Sequence, residues 1–361
     1  MRIGSPELVN DSQISTIVEY SQGKVRLWYS VDQEYSEFLT TENADAFLLG
    51  LLILAMEHNE NIYIDGMISE RLFYHLTHYL MKILTLLIPS LHQIKIFPKE
   101  LNSGKITQVQ NGVATGFSGG IDSFCTFIDH FIEKIPTSYK ITHLVFNNVG
   151  SHGAGGQELF RKRYQRLLKF AQEYELPFIK IDSNLHQILK LNFQNTHTTR
   201  NVSAVLLFQK LVGKYFYASA HKYEDCIIKE SPDGAVIDPA AIHLLSTETT
   251  EFISTGCQYS RVEKTIKVSE FEPSYRYLDV CVHAVNRAEN CSQCWKCART
   301  LLTLEILGKH KLYTKVFDLE KFAKIRSSYI KSLKQNQNPL AQEVIALAVA
   351  RNYDLNSTLK L

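Results

Sequence analysis

The sequence predicts an α/β protein built on a parallel sheet, extended at its amino end by a further α/β unit and closed at its carboxyl end by a metal-bound segment. Three observations carry this expectation. From Gly112 onward, short apolar runs alternate with stretches of helical periodicity, as in a parallel sheet covered on both faces. Within that region the run Val113-Ala-Thr-Gly-Phe-Ser-Gly-Gly-Ile-Asp-Ser123 ends a strand in a glycine pair flanked by hydroxyls. Finally, four of the seven cysteines, Cys281, Cys291, Cys294 and Cys297, fall within seventeen residues.

Composition sets the frame for these features. A chain of 361 residues is long enough for two domains or for one with a large extension, and 45% hydrophobic with 21% charged residues is ordinary for a globular protein. The formal charge of +2 gives no bulk electrostatic drive toward nucleic acid or a membrane surface. Residues 1–30 are polar, without the apolar core of a secretory signal, and the most apolar stretch, 46–56, is too short to span a bilayer and reads as a buried helix. The expected location is cytoplasmic.

In the first 110 residues the pattern predicts a strand over 24–31, a helix over 43–56, a strand over 61–65, a long helix over 69–87 stopped by Pro89, and a strand over 92–97. No catalytic constellation stands out there. The polar stretch 101–111 is the expected boundary, giving an accessory unit over 1–110, a central domain over 111–310 and carboxyl-terminal helices over 311–361.

The central loop is the chemical focus. Gly119 and Gly120 lack a Cβ, so their backbone can adopt positive φ and bring N–H groups close to a bulky anion, while Ser118 and Ser123 add hydroxyls. Phe124, Phe127, Ile128 and Phe131 follow at helical spacing, placing a helix amino terminus at the same point. Asp122 lies in that turn, where it can cap the helix or hold magnesium. The next strand, 141–147, leads into the glycine-rich segment 147–156, and a helix over 158–174 and a strand over 178–182 follow.

Arg200 precedes the apolar stretch 204–212, expected to be helical, and is a candidate clamp for phosphate or carboxylate. After the strand 215–218, His221 and Lys222 are placed to meet polyphosphate, and Asp225 to orient an amine or a metal. A helix ending near Gly256 and an edge strand over 262–268 are expected next. The spacing C-x9-CxxCxxC supplies the four thiolates that structural zinc prefers, with an iron-sulfur cluster as the competing centre. A helix over 298–307 comes directly after it.

The string SGGIDS resembles the signature of the PP-loop ATP pyrophosphatases, which cleave ATP between the α and β phosphates. Together with Thr199-Arg200-Asn201 and the late cysteine block, its order and spacing resemble the 7-cyano-7-deazaguanine synthase family over roughly residues 112–305. That resemblance implies an adenine nucleotide alpha hydrolase-like fold, ATP held by Ser118, Gly119, Gly120, Asp122 and Ser123, and adenine bordered by Phe146 and Asn147. It also implies a 7-deazaguanine substrate near Arg200 and Asn201, an Asp225-Cys226 pair beyond the fourth strand, and zinc on the four cysteines.

Two departures bear on this. Thr247 stands where the family commonly has a lysine, so Lys222 or Lys264 would supply that charge, and the amino-terminal unit is foreign to the housekeeping enzyme. Elongated relatives of this kind occur in type IV CBASS antiphage operons, which implies attachment of a deazaguanine to the amino terminus of a nucleotidyltransferase partner. Ammonia as acceptor, sulfur transfer through Cys226, and a non-catalytic nucleotide-binding scaffold are the alternatives.

Overall fold

A computed structural model describes residues 1–153, 156–282 and 289–359; Ala154 and Gly155 of the glycine-rich segment lie outside the described residues. The first hundred residues supply strands β1 (Arg2–Ile3), β2 (Glu7–Leu8), β3 (Gln13–Tyr20), β4 (Gly23–Val31), β5 (Ile62–Ser69) and β6 (Ile96–Asn102). The later chain supplies β7 (Gly112–Gly116), β8 (His143–Asn148), β9 (Phe178–Ser183), β10 (Val212–Ala218) and β11 (Glu251–Thr255). All belong to one eleven-stranded sheet ordered β11-β10-β7-β8-β9-β4-β3-β1-β5-β6, with β2 beside β3.

The strands from β7 onward are all parallel and run third-second-first-fourth-fifth in chain order across the sheet. The order reverses between β7 and β10. In such doubly wound sheets a ligand crevice opens beyond the carboxyl ends of the strands at that reversal, and the glycine loop leaves β7 there. On the other side β9 pairs antiparallel with β4, matching Tyr29 to Ser183 and Val31 to Ile181, so the sheet passes without a break into the amino-terminal strands.

Helices cover both faces, each over its own apolar core. The helix Asp45–Glu57 is buried from Asp45 to Met56, as expected for a helix apolar on every side. It packs so closely that a Cβ on Gly50 would lie 2.8 Å from the Tyr29 hydroxyl of β4 and 3.4 Å from Ser203 Oγ of the helix Phe193–Val205. The opposite core gathers the loop helix Ile121–Phe127, the amphipathic helix Gln157–Glu173, the helix Trp295–Ile306 and the closing helices Leu319–Gln335 and Pro339–Ala350.

Several expectations need correction. The segment expected as a helix ending near Gly256 contains β11, and the expected edge strand 262–268 is the helix Arg261–Ser269. Ser260 accepts from the Glu263 amide while the Glu263 carboxylate accepts from the Ser260 amide, a capping box that fixes the helix start. The helix expected over 204–212 instead begins at Phe193, capped by Asn192, and ends at Val205, so Thr199, Arg200 and Asn201 lie inside it. The strand expected over 92–97 starts only at Ile96. The hairpin strand β3, for which the sequence reading made no provision, pairs with β4 through a turn that uses Gly23 at φ +124°. Among the described residues no helix is long and apolar enough to cross a membrane.

Candidate functional site

The loop after β7 turns sharply at Gly119, whose φ is +73°. Gly120 caps the following helix, with its amide hydrogen 3.3 Å donor-to-acceptor from Ser118 Oγ, and Ser123 Oγ donates to the Gly120 carbonyl at 3.0 Å. Behind the loop the Asp279 amide donates to the Gly119 carbonyl at 2.7 Å. The Asp279 carboxylate is itself held 2.7 Å from Arg166. The loop is thus braced by the chain entering the cysteine block.

In front of it opens a cavity of about 950 Å³, large for a small-molecule site. Ser118, Gly120 and Asp122 form one wall, and Gly150, Ser151 and His152 another. Asp122 is central. Arg261 Nη1 donates to its Oδ2 at 2.7 Å and Lys264 Nζ to its Oδ1 at 3.2 Å. Burial works to raise its pKa, but the two cations prevail and hold it below the ordinary carboxylate value. With each oxygen accepting from one cation, Asp122 positions Arg261 and Lys264.

Lys264 is 1% exposed and also donates to the Ser219 carbonyl at 2.6 Å, while Arg261 Nη2 donates to the Ala220 carbonyl at 3.3 Å. These bonds tie the turn after β10 to the loop after β7. Two further cations, Lys296 and Arg299, line the same cavity from the helix Trp295–Ile306. Among the described residues neither has an ion-pair partner; both lie over the Trp295 ring, and Arg299 Nε is buried without a hydrogen bond. Burial and the neighbouring guanidiniums hold Lys296 below its ordinary pKa and push Arg299 down to about 10. The lining thus carries five cations, Lys162, Arg163, Arg261, Lys296 and Arg299, against three carboxylates, Asp122, Glu158 and Asp279, a net positive wall that favours an anion.

No family model, curated protein or solved structure matches this chain.

The other expected site residues are distributed as follows. Arg200 is fully buried: Nε donates to Thr196 Oγ1 (2.7 Å), Nη1 to the Val149 carbonyl (3.2 Å) and Nη2 to the Leu191 carbonyl (3.0 Å). It orders the start of the glycine-rich segment and does not line the cavity. Asn201 accepts from Asn147 Nδ2 at 3.2 Å, so these two meet at the carboxyl end of β8. Phe146 is buried, stacked on Phe160. Lys222 pairs with the exposed Glu224, and Asp225 lies in the same turn; neither lines the cavity. His221 meets Asp233, its Nε2 lying 3.2 Å from Oδ2. Thr247 sits before β11, donating to Gln209 Oε1 at 2.7 Å, so the charge at the loop comes from Lys264.

Cys281, Cys291, Cys294 and Cys297 converge with all four sulfurs within 4.8 Å of one another, and could hold a metal such as zinc. The Cys291 and Cys297 sulfurs are 3.9 Å apart, close to the spacing of about 3.8 Å that a tetrahedron with Zn–S bonds of about 2.3 Å requires. Backbone amides of Cys291, Cys294 and Cys297 donate to the sulfurs of Cys281, Cys291 and Cys294, which stabilises thiolates. The set is compact enough for a single ion.

Sequence reasoning missed Arg261, Lys296 and Arg299. The available signal was Lys296, between Cys294 and Cys297, and Arg299 three residues on, which places both on one helix face.

Proposed function

We propose that this chain is an ATP-dependent adenylating enzyme of the PP-loop pyrophosphatase type. It would activate a carboxylate on a 7-deazaguanine and pass it to an amine, releasing pyrophosphate and then AMP. The observation that carries the reading is the SGGIDS loop at the strand-order reversal, sharing a cavity with Lys296 and Arg299, two cations without an ion-pair partner among the described residues. A polyphosphate supplies the missing negative charge. As the carboxylate attacks the α-phosphate, the loop amides and the cations stabilise charge developing on departing pyrophosphate. Magnesium enters only as the companion of the ATP phosphates.

The deazaguanine part rests on the ordered motifs SGGIDS, Thr199-Arg200-Asn201 and C-x9-CxxCxxC. A protein amine, such as the amino terminus of a nucleotidyltransferase in an antiphage operon, is the favoured acceptor because the chain carries an added amino-terminal unit. In this reading the four cysteines hold one zinc ion, whose thiolate shell is closed and therefore structural. Sulfur transfer is disfavoured, since burial raises the Cys226 thiol pKa and so suppresses its thiolate.

The test is ATP–pyrophosphate exchange with 7-carboxy-7-deazaguanine, followed by intact-mass analysis of candidate acceptor proteins. Replacing Lys296 and Arg299 together by alanine should weaken ATP binding about 10²- to 10⁴-fold, from two charge-assisted bonds worth about 1.5–3 kcal/mol each. Asp122→Ala should abolish AMP formation. Equal AMP release by wild type and Asp122→Ala would overturn the enzymatic reading.

A further inference from the structure

Beside the cation cluster, a carboxylate is held between two imidazoles. Asp233 Oδ2 lies 3.2 Å from His221 Nε2, and Oδ1 lies 3.6 Å from His197 Nε2. A carboxylate only accepts, so His221 Nε2 carries a proton and donates it, leaving the Nδ1 lone pair available. The His221 side chain is 16% exposed, and Nδ1 has no protein partner among the described residues. His197 is different, because its Nδ1 is also engaged, 3.1 Å from the Tyr217 hydroxyl.

The mounting of His221 connects it to the cavity. Its amide donates to Ser219 Oγ, and Ser219 Oγ donates to its carbonyl. The carbonyls of the two preceding residues, Ser219 and Ala220, are held by Lys264 and Arg261, and Ala220 lines the cavity. The imidazole therefore stands one residue beyond the cavity wall, on a turn fixed by the cations that face the glycine loop.

We propose that His221, oriented by Asp233, is the general base that accepts the proton of the attacking amine when the acyl adenylate becomes an amide. This rests on the adenylating function above. The amine nitrogen forms a bond to the acyl carbon, the bond from that carbon to the AMP phosphate oxygen breaks, and AMP leaves with the electron pair. The amine proton goes to His221 Nδ1, and Asp233 offsets the imidazolium charge. Adenylate formation transfers no proton to His221, so the two half-reactions depend on it differently.

The experiment supplies ATP and 7-carboxy-7-deazaguanine with either ammonia or hydroxylamine, in wild type, His221→Asn and His221→Gln. Hydroxylamine is uncharged at neutral pH and strongly nucleophilic, so it traps an adenylate without a protein base. The expected result is amide formation from ammonia reduced by about 10²-fold, the lower end of general-base contributions, with hydroxamate formation preserved within about twofold. Asp233→Asn should shift the same ratio in the same direction. Unchanged ammonia rates, or equal losses with both nucleophiles in both His221 variants, overturn the assignment. A wild type that forms no hydroxamate overturns the adenylating function as well, and so the two failures are separable.

Discussion

Gly119 sets how tightly the glycine loop after β7 is specified. At φ +73°, an added Cβ would sit 2.8 Å from Leu167 Cδ2 and 3.1 Å from the Tyr277 carbonyl. Gly119→Ala should therefore cost about 1–3 kcal/mol in chemical denaturation, by backbone strain and forced displacement, and abolish ATP binding measured by calorimetry. Unaltered ATP affinity would show that the loop does not bind phosphate. A second residue predicts pH dependence. Asp45 is fully buried, and desolvation raises its pKa to about 6 against amide donors from Ser69, Gln209 and Asn43. Because the folded pKa exceeds the unfolded value, its stabilising contribution is complete below about pH 4 and is lost as pH rises through 6. The loss amounts to about 3 kcal/mol at 1.36 kcal/mol per pKa unit. Denaturation curves from pH 4 to 7 should show this decline in wild type and not in Asp45→Asn. The sequence revealed Ser118, Gly119 and Asp122 because the glycine-hydroxyl string is local. It concealed Arg261, Lys296 and Arg299, since a single cation in a helix is by default a solvated one. Arg200 was misleading for the same reason in reverse: its charge suggested a ligand, whereas burial gives its guanidinium to backbone carbonyls.

At the scale of elements, the helix Trp295–Ile306 joins the cysteine cluster to the cavity. Cys294 caps it by accepting from the Cys297 amide, and Lys296 and Arg299 project three residues apart toward the cavity. A metal held by Cys294 and Cys297 at the start of this helix would fix the direction in which those cations point. Metal removal by a chelator, or Cys294→Ser, should therefore release about one zinc per chain and reduce ATP affinity at least tenfold. Zinc retained at full stoichiometry in Cys294→Ser, or ATP affinity unchanged after zinc loss, would contradict this. Elements with strong local signals were legible, including the all-apolar helix Asp45–Glu57 and the strand and helix around the loop. The helix Arg261–Ser269 was not, although Ser260 and Glu263 spelled its cap, because Val262, Ile266 and Val268 also satisfy much of a period-two pattern. The start of the helix Phe193–Val205 was hidden by three threonines, weak helix formers held here by burial against Asp45–Glu57.

For the whole molecule, the decisive feature is the seam between β4 and β9, which no periodicity in either half announces. Ser183 Oγ donates to the Trp28 carbonyl at 2.7 Å, Asn184 bonds the Trp28 amide and the Arg26 carbonyl, and the Tyr29 hydroxyl meets Ser203 Oγ at 3.0 Å. One apolar core spans that seam, uniting Leu27, Phe47 and Leu51 with Ile179, Leu185 and Val205. Neither side can open without baring the other's sheet edge and helix face, so unfolding should be a single cooperative event. The chain reports on this directly, because its only two tryptophans lie on opposite sides: Trp28 in β4 and Trp295 beside the cysteines. Phenylalanine at either position leaves the other as a sole probe. The fluorescence midpoint of each single-tryptophan variant in denaturant should coincide with that variant's own far-ultraviolet circular dichroism midpoint. A Trp295 transition that precedes loss of secondary structure would instead define the cysteine segment as a separately unfolding unit. A Trp28 transition that does so would assign that independence to the amino-terminal strands.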